Sequence, residues 1–143
     1  MAKSFAQSKG ARFERQVIQL LQPVVTQVYS EAGLEPPKLQ RNTLQSDGGG
    51  FDLVGLNWIA IECKHQENLN VNAWWLQCCN QAKAGQVPVL LYKQNNIKIK
   101  VMMHGILITT GASNIRCPVE ISVESFLLYF QLRLIEEVKK EMM

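Results

Sequence analysis

No apolar run in the chain approaches the ~20 residues that a membrane-spanning helix needs, and the opening Met1-Ala2-Lys3-Ser4 lacks the apolar segment of a secretory signal. Both absences point to a cytoplasmic, intracellular protein that avoids the membrane. Cysteine is sparse as well. Cys63, Cys78, Cys79 and Cys117 show neither zinc-ligand spacing nor a disulfide framework, so reduced structural thiols are expected. Repeats, linkers, low-complexity stretches and base-reading modules such as zinc fingers are missing too. Acidic residues are scarce near the start, where Lys3, Lys9, Arg12 and Arg15 are opposed only by Glu14. The total charge of +3 is modest, but its concentration makes this end, with Lys38 and Arg41 further on, a candidate for phosphate contact.

What remains reads as a single α/β domain over residues 1–143, long enough for a sizeable core. Phe13, Val17, Leu20, Leu21, Val24 and Val28 recur at helical spacing. Ser8 is a plausible N-cap for that helix and Pro23 is expected to kink or restart it. After the break at Glu35-Pro36-Pro37, residues 39–44 read as a first strand, followed by the strands of Asp52 and Glu62 as a meander. Asn70 or Asn72 can cap a helix running to Ala84. Residues 87–92 form a near-continuous apolar run suited to a strand covered on both faces. Strict alternation in Ile97-Lys98-Ile99-Lys100-Val101 marks a half-buried strand, and 106–109 a further short one. Ser122 opens a last helix whose stripe is Phe126, Leu127, Phe130, Leu134, Ile135, Val138 and Met142.

The chemistry concentrates in two short stretches, Gly50-Phe51-Asp52-Leu53-Val54 and Trp58-Ile59-Ala60-Ile61-Glu62-Cys63-Lys64. Side chains alternate along a strand, so Ile59, Ile61 and Cys63 share one face while Ala60, Glu62 and Lys64 share the other. A turn at Gly55-Leu56-Asn57 brings Asp52 alongside, within reach of a cation shared with Glu62. Two acids suffice for Mg²⁺, which keeps several waters and takes substrate phosphate as a further ligand. An ammonium on the same face can orient a water or stabilise the phosphorane-like state. The set therefore suits metal-assisted phosphodiester hydrolysis. Taken alone, Glu-x-Lys is more often a solvated pair. The glycine-rich entry, the acid one strand earlier and the apolar opposite face favour a site. Asp47 is a rival to Asp52, but before three glycines it reads as a turn residue. Trp74 and Trp75 read as core or dimer contacts, and His104 as a structural imidazole.

These residues resemble the PD-(D/E)XK nuclease superfamily, and within it the archaeal-type Holliday junction resolvases that phages also often carry. The resemblance starts at Lys9-Gly10-Ala11-Arg12-Phe13-Glu14-Arg15, similar to that family's Lys-Gly-x-x-x-Glu-Arg, and continues through the Asp52 and Glu62-Cys63-Lys64 motifs; Phe51 stands where the family has proline. It implies a restriction-endonuclease-like fold with a mixed central sheet flanked by helices. It implies catalytic roles for Glu14, Asp52, Glu62 and Lys64 and metal binding by Asp52, Glu62 and the Cys63 carbonyl; beside such a site, the basic Lys9, Arg12, Arg15 and Arg41 are the expected DNA contacts. The cofactor would be Mg²⁺, with Mn²⁺ substituting. The partners would be branched DNA and a second copy of the chain, and the activity resolution of four-way junctions in recombination and repair. Another nuclease of the same fold, acting on duplex ends, forks or foreign DNA, and a non-catalytic nucleic-acid-binding homodimer are the alternatives.

Overall fold

The computed structural model describes residues 5–43 and 51–143, with side chains described from Lys9 onward. Among them are helices α1 (Phe5–Glu31), α2 (Val71–Gln81) and α3 (Val123–Glu141). The strands are β1 (Gln40–Arg41), β2 (Leu53–Val54), β3 (Ile59–His65), β4 (Val87–Lys93), β5 (Lys100–Leu107) and β6 (Ile115–Ser122). The main sheet runs β3-β4-β5-β6, parallel between β3 and β4 and antiparallel onward. It is the mixed α/β arrangement of a restriction-endonuclease-like fold. None of the described helices is long and apolar enough to cross a membrane.

A parallel pair needs a crossover, and α2 supplies it between β3 and β4. β4 therefore lies inside the sheet with both faces covered, as its apolar run requires. Val89 and Leu91 face α1 and α3 in the larger core with Val17, Leu21, Val25, Phe126, Phe130 and Leu134. Leu90 and Tyr92 face α2 in a smaller cluster with Trp74, Trp75 and Cys78. Both tryptophans are thus core residues. Four cysteine thiols are free.

Local signals at the helix ends gave mixed guidance. Ser122 caps α3, its Oγ accepting from the Ser125 N–H at 3.1 Å. Ser8 does not cap α1, because the chain is already helical at Phe5. Pro23 does not interrupt α1 either. It lies on the exposed face, where water can meet the carbonyl that loses its N–H partner. Beyond α1, Gly33 takes φ +74° and the Leu34 N–H returns to the Tyr29 carbonyl at 3.0 Å, a left-handed helix stop. At the crossover helix, Asn70 is the N-cap of α2 without a side-chain bond, and the helix ends at Gln81, short of Ala84. Gly85, at φ +85°, belongs to the turn that follows.

The strands differ more from expectation. β2 pairs with β1, Arg41 opposite Leu53, and meets β3 only through its flank, so the meander is incomplete. The expected first strand is confined to Gln40–Arg41 among the described residues, and Leu44 lies outside them. Ile97 to Ile99 are not strand, and Ile97 is exposed. The loop is drawn sideways instead: Gln94 Nε2 donates to the Glu67 carbonyl at 2.8 Å, and the Asn95 N–H to the Glu67 carboxylate at 2.6 Å. β5 consequently starts at Lys100, opposite Tyr92, and absorbs residues 106 and 107 that looked like a separate strand. β6 was not anticipated at all. Its Ile115, Cys117, Val119 and Ile121 alternate with polar residues, but Pro118 weakens a strand reading. The structure resolves this by placing β6 at the sheet edge, where a missing N–H is tolerated.

The placement of β1 and β2 rests on two devices. Gln22 clamps the chain to α1, accepting from the Leu39 N–H at 2.8 Å and donating to the Pro37 carbonyl at 3.1 Å. Gly55 turns the chain at φ +133°, and a Cβ there would stand 3.0 Å from the Lys38 carbonyl and 2.9 Å from Leu39 Cδ2. Gly55→Ala is expected to destabilise the fold by roughly 1–3 kcal/mol, since it combines a disallowed φ with a backbone clash. Thermal unfolding followed by circular dichroism checks this, and an unchanged midpoint would show that the turn is not constrained.

Candidate active site

Asp52 is held where it would stand as a neighbour to β3. Its N–H donates to the Ile61 carbonyl at 2.9 Å, and its Oδ2 accepts from the Cys63 N–H at 2.7 Å. On its other side the Asp52 carbonyl accepts from the Asn42 N–H at 2.7 Å. One residue thus occupies the otherwise open edge of β3 by backbone and side chain together. It lies one position before β2 rather than inside it. Asp47 falls outside the described residues.

Strand alternation delivers the rest of the motif. Ile59, Ile61 and Cys63 enter the larger core, leaving Glu62 and Lys64 on the opposite face with their charged groups 3.8 Å apart. Glu62 is 3 % exposed and Asp52 8 %, so two carboxyl groups are buried side by side. Burial first, then the negative Asp52 and a hydrogen bond between the two carboxyls, push the Glu62 pKa to about 8 against the pull of Lys64. Without a cation, this burial favours the protonated form of Glu62.

α1 adds the third acid. Glu14 is half-buried, and burial together with the nearby Asp52 raises its pKa against a hydrogen bond from Arg41. That bond, from Arg41 Nε to Glu14 Oε2, is 2.6 Å long. Arg41, expected among the DNA-contacting residues, is half-buried and gives its Nε to Glu14. Arg12 and Arg15 are exposed on α1, while Lys9 is buried. The thiols nearby stay neutral: burial and then Asp52 push the Cys63 pKa well up, and burial and then Glu62 do the same for Cys78.

The donor set fits a hard divalent cation. Among the described residues no group of three His, Cys, Asp or Glu side chains forms a complete cage, but Mg²⁺ needs only one or two carboxylates and keeps open positions for water and phosphate. The mutual repulsion that raises the Glu62 pKa is what such a cation would relieve. The N–H and C=O of a strand residue leave on the same side, so the Cys63 carbonyl also lies on the Asp52 edge. The site is open. A cleft of about 860 Å³ lined by Tyr29, Trp58, Glu137 and Glu141 contains none of these groups.

Two residues near the site were not singled out from the sequence. His65 and Lys93 end adjacent strands, opposite one another, and border the Phe13 ring. Their proximity depends on strand register, so no local spacing signals it. His104 is half-buried against Trp75, ring centroids 5.0 Å apart.

A protein-family model described as "Phage putative PDDEXK endonuclease" matches residues 6–126, a span that includes Glu14, Arg41, Asp52, Glu62 and Lys64. No curated protein and no solved structure matches the chain.

The buried carboxyl pair has a consequence for stability. A glutamate ionises near 4.5 when unfolded, whereas Glu62 in the fold keeps its proton to about 8. Metal-free protein should therefore lose stability as pH rises from about 4.5 to 8. Melting in EDTA across this range should show a fall that Glu62→Gln largely removes and that Mg²⁺ or Mn²⁺ offsets in the unsubstituted chain. Identical pH profiles for the two proteins would mean that Glu62 is not strained by its neighbours.

Proposed function

The chain belongs to the phage PDDEXK endonuclease family, and from that premise we propose that it is a Mg²⁺-dependent DNA endonuclease whose specific substrate is the four-way junction. The observation that carries the nuclease reading is the meeting of Asp52, Glu62 and Lys64 at one strand edge, with Glu14 electrostatically coupled to Asp52. Asp52, Glu62 and the Cys63 carbonyl would hold the cation, which supplies an acidified water and charge to offset the phosphate. Mn²⁺ should substitute.

The chain's own groups do the positioning. Lys64, 3.8 Å from Glu62 on the same face, can orient the attacking water and stabilise charge developing on the phosphate. Arg41 holds the Glu14 carboxylate at 2.6 Å, within the electrostatic reach of Asp52, where it could accept a hydrogen bond from the same water. Burial excludes bulk water from both inner carboxylates, which strengthens their interaction with a cation.

The junction reading rests on the motif resemblance and on symmetry. A four-way junction has two equivalent scissile strands, and a twofold homodimer would present paired sites to match. Phosphate contacts are common to all DNA, so discrimination would come from shape.

The test is incubation of a synthetic junction, a fork and a linear duplex with Mg²⁺ or EDTA. Asp52→Asn, Glu62→Gln and Lys64→Ala should each lower cleavage by roughly 10²-fold or more while binding survives. Cleavage that persists in EDTA would remove the metal-dependent reading. A normal Asp52→Asn with loss in Asp47→Asn would move the metal site to the other acid. Preference for fork or duplex, or a monomer by light scattering, would leave a nuclease of another substrate.

Glu14→Gln and Arg41→Met should both slow cleavage at saturating DNA, because the arginine acts through the glutamate. The double variant should be little slower than either alone. Additive losses would return Arg41 to an independent DNA-contacting role.

A further inference from the structure

Three basic side chains from three elements converge on the opposite side of the β3 edge from Lys64. His65 and Lys93 are register partners at the carboxyl ends of the parallel strands β3 and β4. Lys9 lies one helical turn before Phe13 on α1. The Phe13 ring holds the group together: His65 meets it edge-on at 5.8 Å and Lys93 Nζ lies 6.0 Å from its centroid. Lys9 is only 9 % exposed, and among the described residues no carboxylate stands within ion-pair distance of it or of Lys93. Burying an ammonium without a counter-ion is costly. Glu67 acts on His65 electrostatically, and its carboxylate is engaged by the Asn95 N–H at 2.6 Å. Asn95 Oδ1 also lies 2.8 Å from His65 Nε2, which fixes the ring.

We propose that Lys9, His65 and Lys93 form a subsite for a backbone phosphate of the DNA strand, flanking the phosphate cleaved at Asp52 and Glu62. This assignment rests on the nuclease reading above. Among the described residues the cluster has no counter-ion, and two ammonium point charges are suited to phosphate oxygens, while Asn95 holds the His65 ring between the strand ends. The position agrees: carboxyl ends of parallel strands are where open α/β sheets take their ligands. His65 is three residues beyond Glu62, roughly 10 Å along the strand at about 3.3 Å per residue. The scissile phosphate cannot occupy both places, so the subsite takes a neighbouring one.

Binding in EDTA isolates the subsite from cleavage. Lys93→Met and Lys9→Met keep the side-chain stem, and melting confirms that each variant is folded; Lys93, at the outer end of β4, carries the test alone should Lys9→Met not fold. With duplex and junction DNA, each variant should bind about fivefold more weakly near 0.1 M salt, and the slope of log affinity against log salt should fall by about 0.9 per lost phosphate contact. A scan of single methylphosphonates should find one flanking position that weakens binding by the unsubstituted chain and has no further effect in Lys93→Met. Unchanged salt slopes, with the loss appearing in Arg12→Ala or Arg15→Ala instead, would overturn the subsite. Parallel Mg²⁺ assays keep the two readings apart: failure of the unsubstituted chain to cleave counts against the nuclease, and unaltered slopes in a chain that does cleave count against the subsite alone.

Discussion

Two carboxyl groups buried together at a strand edge set the terms for the rest of this structure. Among the described residues β4 is the only strand paired with β3, and an open edge is a liability because its N–H and C=O groups invite pairing with another chain. Asp52 closes that edge by mimicking a strand neighbour, giving its N–H to Ile61 and taking the Cys63 N–H on its carboxylate. The same contacts fix the acid beside Glu62. Protection of the edge and construction of the site are one act of folding.

That arrangement costs stability, and the scaffold shows where it is offset. Burial and the Asp52 charge raise the Glu62 pKa, which measures how poorly the fold tolerates two anions there. β3 stays in place because its other face is locked into the core by Ile59, Ile61 and Cys63, and because β4 alongside is buried on both faces. Phe126, Phe130 and Leu134 from α3, with Val17, Leu21 and Val25 from α1, supply the apolar burial on that side. A rigid frame with a destabilised centre is the usual signature of a site built to hold something.

The legible parts of the chain are those where local pattern and tertiary role coincide. Alternation in 59–64 placed Glu62 and Lys64 on one face because β3 is straight and packed on the other. The apolar run of 87–92 read as a covered strand because β4 is one. The failures occur where a distant contact decides. The Glu67 side chain pulls Asn95 aside, so the alternation at 97–101 does not become a strand until Lys100. Pro118 concealed β6 until its place at the edge was known. Among the site residues, Glu14 and Arg41 are far apart in sequence, and their ion pair follows from α1 and β1 being clamped together by Gln22.

The place of the site on the sheet bears on what it can discriminate. Its carboxylates sit on the edge strand of a sheet, outside the 860 Å³ cleft near Trp58. Such a site meets a nucleic acid through its backbone, and charge along that path is sequence-independent. On the proposed reading, selectivity would come from how the strand is bent across the β3 edge and from where a second site would stand. A single edge fixes one phosphate and its neighbours, which duplex and branched DNA both present. Only a second, symmetry-related edge at a fixed distance could make strand geometry itself the thing that is read. The chemistry is therefore a property of one chain, and any preference for a junction would belong to the pair.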